Sequence, residues 1–222
     1  MKAMILAAGL GKRMRPLTEH CPKPLLTVAD KPLIVHHLER LAAAGITDVV
    51  INVSYRAEQI VEALGDGQRF GVSLAFSHET TPLETAGGIR HALPLLGDAP
   101  FLLINGDVWC DVALETLPEL RDDLAHLILV DNPDHHAEGD FALDDAGRVR
   151  LESTPRLTYA GLAILDPALV ASLPDDSPAK LAPLLREAIM AGRTGGTHHR
   201  GDWVDVGTPE RLEALDAHLR GI

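Results

Sequence analysis

Near-continuous apolar runs of strand length recur along the front half of this chain. They cover Lys2–Ala8, Asp48–Val53, Val72–Ser77, Phe101–Asn105 and His126–Val130, and predict five strands. Between them lie helical patterns at Pro32–Ala44, Ala57–Leu64 and Thr85–Leu95, the first two stopped by Gly45 and Gly65. Strands alternating with helices predict βαβ units and an α/β fold with a mainly parallel sheet.

The pattern changes after about residue 130. Asp140–Leu143 and Gly147–Glu152 predict a hairpin around Asp144–Gly147, and Thr158–Leu165 a further strand. Leu181–Ala191 and Pro209–Leu219 predict helices, so the sheet is expected to be mixed. No linker, repeat or low-complexity tract divides the 222 residues, which are read as one domain of two halves, about 1–130 and 131–222.

Ligands of open parallel sheets bind beyond the carboxyl ends of the strands. Three segments are expected at that edge: the loop after the first strand, Asn105-Gly-Asp107, and Asp131-Asn-Pro-Asp134. Their convergence predicts one active site.

Charge narrows what binds there. The formal net charge is −12 and aromatic residues make up 4% of the chain. An acidic chain with few stacking platforms argues against nucleic acid as a partner. The cations Lys12, Arg13, Arg15 and Lys23 stand out against this background and suit a small phosphorylated ligand. Cys21 and Cys110 form no metal or redox spacing, and a reducing compartment is expected. Met4–Ala8 is too short for a signal segment and no run reaches membrane-spanning length, so no membrane partner and a cytoplasmic location are expected.

The loop after the first strand, Ala8-Gly9-Leu-Gly11-Lys12-Arg13, is built for a polyphosphate. Gly9 and Gly11 let the backbone approach an anion, and Lys12, Arg13 and Lys23 bring positive charge to the same point. A P-loop would need Ser or Thr after Gly11-Lys12, where Arg13 stands. A dinucleotide fingerprint would need glycine or alanine at Met14.

Asp107 follows the buried strand 101–104, where a rigid carboxylate suits Mg²⁺; Asn105-Gly106 is equally a turn signal. Trp203-Val-Asp205 predicts a short strand, with Thr208 capping a helix opened by Pro209. Thr85 and the glycines after it serve either a helix start or a ligand lying against backbone. The adjacent pairs His36-His37, His135-His136 and His198-His199 are poor bidentate metal clamps, because neighbouring side chains diverge. His135-His136 falls in a site loop, where contact with substrate is the alternative to the solvated loop it is read as. No nucleophile elbow or Cys-x-x-Cys occurs, so hydrolase and redox chemistry lack support.

Leu6-Ala-Ala-Gly-Leu-Gly-Lys-Arg-Met-Arg-Pro-Leu-Thr18, Pro22-Lys-Pro-Leu25 and Asp205-Val-Gly-Thr-Pro-Glu210 together resemble sugar-1-phosphate nucleotidyltransferases over nearly the whole chain. The resemblance implies a Rossmann-like three-layer αβα sandwich, with a mainly parallel mixed sheet and a small sugar-binding lobe. It implies Mg²⁺ held by Asp107 and Asp205, with Arg13 gripping the β and γ phosphates and Lys23 stabilising the α-phosphate. The nucleotide side would comprise Ala8, Gly9, Gly11, Lys12, Arg13, Lys23, Glu79, Gly87 and Asn105. The sugar phosphate would meet Asp140, Glu152 and Asp205. The whole-chain likeness points to UTP and N-acetylmuramate 1-phosphate as substrates, in cell-wall recycling. The alternatives are another transferase of the family, such as one using GTP and mannose 1-phosphate, or a non-catalytic sensor of nucleotide sugars. Some members carry a second C-terminal domain; its absence here favours a monomer or weak dimer.

Overall fold

The computed structural model describes residues 1–221. Strands β1 (Ala3–Leu6), β2 (Asp48–Val53), β3 (Ser73–His78) and β4 (Phe101–Asn105) pair in parallel in the order β4-β1-β2-β3. The short strand β5 (Val108–Cys110) leaves this sheet. Next come β6 (Ala125–Val130), β7 (Phe141–Leu143), β8 (Val149–Arg150) and the long β9 (Arg156–Leu165). The C-terminal half of β9 inserts antiparallel between β4 and β6, and β10 (Thr194–His198) adds in parallel to β6. The sheet is therefore mainly parallel, with β9 reversed among these strands. The hairpin β7–β8 branches from the start of β9 and turns at Asp144–Gly147, as predicted.

The apolar runs are near-continuous because both faces of the sheet are covered. Alternate residues enter different cores. Ala3, Ile5, Val49, Ile51, Leu102 and Ile104 pack on one side against Ile34, Leu38 and Leu41 of α1 (Leu33–Ala43) and Ile60 of α2 (Ala57–Leu64). Met4, Val50, Phe101 and Leu103 pack on the other side against Ile89 and Ala92 of α3 (Glu84–Leu96) and Leu185 and Ile189 of α4 (Leu181–Met190). This is the three-layer αβα sandwich.

A third, smaller core joins the ends of the chain. Leu212 and Leu215 of α5 (Pro209–Arg220) pack with Met14, Leu26 and Leu33. Thr208 accepts the Arg211 N–H at 3.4 Å and Pro209 opens α5. The strand preceding it, β11 (Trp203–Asp205), pairs antiparallel with β5, so a two-stranded ribbon carries C-terminal sequence to the sheet edge where β4 ends. Among the described residues no helix is long and apolar enough to cross a membrane.

Candidate active site

The carboxyl ends of β1 and β4 lie side by side, and their loops open into a cavity of about 540 Å³. Ala8, Gly9, Gly11, Lys12, Arg13, Lys23, Glu79, Asn105 and Asp107 line it, together with Pro82, Glu84, Thr85 and Gly207. Gly11 has φ +58°, and a Cβ there would lie 2.9 Å from Thr18 Cγ2. Buried Thr18 closes the loop by donating from Oγ1 to the Gly11 carbonyl at 2.8 Å. Gly9 has neither constraint: its φ is not positive and nothing lies within 4 Å of where a Cβ would stand. Its missing side chain leaves open space at the cavity wall.

A second cavity, of about 360 Å³, adjoins the first. It is lined by His135, His136, Thr158, Tyr159, Gly161, Trp203 and Asp205, and shares Arg13, Asn105 and Asp107 with the first. The shared wall is set by tight backbone geometry. Gly106 donates its N–H to the Leu6 carbonyl at 3.0 Å, and a Cβ on it would stand 2.5 Å from that oxygen. Gly161, at φ +76°, sits at the irregularity of β9; a Cβ there would reach within 2.8 Å of the Asn105 side chain.

Asp107 and Asp205 both line the second cavity, from chain segments almost a hundred residues apart. The ribbon brings them together: Asp205 pairs with Val108, and the Val206 N–H donates to the Asp107 carbonyl at 2.8 Å. Each carboxylate faces one cation. Lys23 Nζ donates to Asp107 Oδ2 at 2.7 Å, and Arg211 Nη1 to Asp205 Oδ2 at 2.9 Å. Two carboxylates without a soft donor between them form an oxygen set of the kind Mg²⁺ prefers. At the far end of the same ribbon, Cys110, Asp111 and His199 lie within 4.8 Å of one another, but His199 Nε2 is already hydrogen-bonded to Asp111 at 2.6 Å.

Four expected contacts fall elsewhere or in altered form. Gly87 is not on the cavity: it is buried beneath the strap 177–179, its N–H donates to the Ala179 carbonyl at 3.1 Å, and a Cβ would collide with the Ser177 carbonyl. The glycine serves chain packing, and Glu84 and Thr85 line the cavity instead. Glu152 is exposed in the turn after β8, away from both cavities. Asp140 stands behind the lining, accepting from Tyr159 N–H at 2.8 Å and contacting His136 Nε2 at 3.1 Å. Glu79 is buried in the cavity floor with both oxygens engaged, by Asn52 Nδ2 at 2.7 Å and Leu83 N–H at 2.9 Å. It braces the floor.

Arg211 was not singled out by sequence, and His135-His136 was placed in a site loop but given no role. The histidines, read as solvated, line the second cavity, with His135 Nε2 2.7 Å from Arg211 Nη1. Their position after β6 was the available signal.

The model of the family described as "Nucleotidyl transferase" matches residues 2–220. The chain belongs to the nucleotidyl transferase family. It is 50% identical to the N-acetylmuramate alpha-1-phosphate uridylyltransferase of Neisseria meningitidis serogroup B, over 98% of this chain and 97% of that protein. It is 38% identical to the protein of the same name from Caulobacter vibrioides, over 98% and 96% of the two chains. Among solved structures, HddC from Yersinia pseudotuberculosis, complexed with GMP-PN, superposes with a TM-score of 0.81 at 23% identity, covering 98% of this chain and 99% of that one. That likeness shows that the two chains share a fold.

Proposed function

We propose that this nucleotidyl transferase converts UTP and N-acetylmuramate 1-phosphate into UDP-N-acetylmuramate and pyrophosphate. The carrying observation is the pair of cavities that meet at Arg13, Asn105 and Asp107. A two-substrate reaction between phosphates needs two compartments with a charged junction. The glycine loop and its cations line the first, which suits the triphosphate. The second, walled by Thr158, Tyr159 and Trp203, suits the sugar. Identity over nearly the full length of two relatives named for this reaction supports the choice of substrates.

In this reading an oxygen of the sugar phosphate attacks the α-phosphorus of UTP. The bond from that phosphorus to the bridging oxygen breaks, and pyrophosphate leaves with the electron pair. The attacking oxygen is already ionised, so no general base is required. The barrier is mutual repulsion and in-line alignment. Arg13, at the shared wall, grips the outgoing β and γ phosphates as a fork. Lys23 sits beside Asp107, where it stabilises charge on the α-phosphate. Single contacts of this kind contribute ~3–4 kcal/mol to the barrier. Asp107 and Asp205 would hold Mg²⁺, which when bound supplies charge neutralisation across both phosphates. We place the reaction in the cytoplasm, where triphosphates are available, on one domain acting as a monomer or weak dimer.

Pyrophosphate release measured for four nucleoside triphosphates against a set of sugar 1-phosphates tests the proposal. Preference for UTP with N-acetylmuramate 1-phosphate is expected. Preference for GTP with mannose 1-phosphate would replace it, and no release with any pair would favour a sensor.

A further inference from the structure

Arg211 is a cation at the sugar side that the proposed reaction does not use. Arg211, in the first turn of α5, spans Asp205 and His135 with Nη1 alone, at 2.9 and 2.7 Å. Its Nε and Nη2 donate to no protein acceptor among the described residues. Gly207 makes room for the group, since a Cβ there would collide with Nη2 and stand 3.0 Å from Asp205 Oδ1. The side chain is 23% exposed, so it is neither sealed in the core nor freely solvated.

Charge gives it a role in two ways. Among the described residues Arg13 is the single permanent cation lining the second cavity, and it is shared with the triphosphate side. A sugar 1-phosphate brings about two negative charges to that cavity, and a lactyl substituent would bring a carboxylate as well. Arg211 is the adjacent cation able to answer them. Its guanidinium also holds Oδ2 of Asp205, so a divalent ion that takes this oxygen competes with it for the carboxylate's charge. A guanidinium that gives way to the ion frees its donor fork beside the cavity, and such a fork matches phosphate and carboxylate geometry.

We propose that Arg211 is an exchange cation: it neutralises Asp205 until a divalent ion takes that carboxylate, and then holds an oxyanion of the sugar phosphate. This rests on reading the site as a sugar-1-phosphate nucleotidyltransferase. His135 keeps the guanidinium at the cavity rim, its Nε2 2.7 Å from Nη1. The oxyanion is either the phosphate or the lactyl carboxylate.

The test compares wild type, Arg211→Gln and Arg211→Lys. Mn²⁺ binding to the enzyme without substrates is titrated by electron paramagnetic resonance. Steady-state constants are then measured with N-acetylmuramate 1-phosphate and with N-acetylglucosamine 1-phosphate, which lacks the lactyl group. Arg211→Gln is expected to bind Mn²⁺ several-fold tighter, while the KM for sugar phosphate rises about ten- to a hundredfold and that for UTP is unchanged. Arg211→Lys should restore part of the sugar-phosphate KM. An equal rise on both sugars assigns the phosphate; a rise confined to the muramate assigns the carboxylate. Unchanged or weaker Mn²⁺ binding, or an unchanged sugar-phosphate KM, would overturn the proposal. A wild type inactive with every sugar phosphate would instead refute the underlying reaction. A lowered melting temperature in Arg211→Gln would move the comparison to Arg211→Lys, whose wild-type behaviour in both assays would also count against it.

Discussion

Lys23 reaches Asp107 across 84 residues of chain to form a 2.7 Å ion pair whose lysine is 11% exposed. The flanking prolines hold it there: Pro22 is extended at φ −65°, Pro24 is buried, and residues 23–25 form a tight turn. Lys23→Ala should therefore lower the rate of pyrophosphate release by about 10²–10³, equivalent to ~3–4 kcal/mol. The side chain sits at a cavity wall and fills no core, so the fold should stay intact, with a lowered melting temperature from the unpaired Asp107. Near-normal turnover in the variant would remove Lys23 from the chemistry.

Gly9 and Gly11 share a loop but differ in what demands a glycine. Gly11→Ala forces a side chain onto a left-handed backbone and against Thr18 Cγ2, a cost of ~1–2 kcal/mol visible in urea unfolding. Gly9→Ala meets open space and should change stability by less than ~0.5 kcal/mol. It should nonetheless raise the KM for the triphosphate, because the added methyl enters the volume assigned to phosphate. Equal kinetic and stability effects at both positions would contradict this division.

These two residues also mark how much of the site was legible in the sequence. The phosphate loop was readable because its chemistry is local: glycines and cations follow directly on a strand. Strands β1, β2, β4 and β6 were readable because both faces are buried, which leaves long apolar runs. Strand β10 was not, since Gly195-Gly196 reads as a loop. Its glycines are demanded by neighbours distant in sequence, His126 beneath Gly195 and Val149 and Leu143 against Gly196. Strand β5 was missed because its pairing partner lies near residue 204. Arg211 and His135 stand 76 residues apart and meet through tertiary packing alone. Gly87 erred the other way: a glycine at a helix start fits a ligand or a packed chain equally well, and the strap 177–179 decides.

Glu79 links three elements under the first cavity. Its carboxylate accepts from Asn52 of β2 and from Leu83, and Gly88 of α3 packs so closely that a Cβ would stand 2.5 Å from Oε1. Asn52 in turn accepts the Ala7 N–H at 2.8 Å at the start of the phosphate loop. Glu79→Gln turns an NH₂ toward one of the two donors and leaves a buried pair unsatisfied. It should destabilise by about 1–3 kcal/mol in urea unfolding and loosen nucleotide binding. A variant as stable as wild type would mean that the floor repacks without this bracket.

His37 makes stability depend on pH in a direction that can be worked out. It lies on α1, 2% exposed, and its Nε2 has no hydrogen-bond partner. Burial, helped by nearby Arg40 and His36 and opposed by Asp107, pushes its pKa from 6.5 down to about 3. As pH falls through 6.5 the unfolded chain takes up a proton that the folded protein refuses until about 3. The contribution is therefore full above pH 6.5 and is lost progressively as pH drops toward 3. His37→Leu removes the titrating group. The stability of that variant relative to wild type should rise by about 2 kcal/mol between pH 7 and pH 5, whatever the packing cost at pH 7. Urea titrations of both proteins at pH 7, 6 and 5 measure the difference. A gap that stays constant over that range would mean that the folded protein protonates His37 as readily as the unfolded chain does.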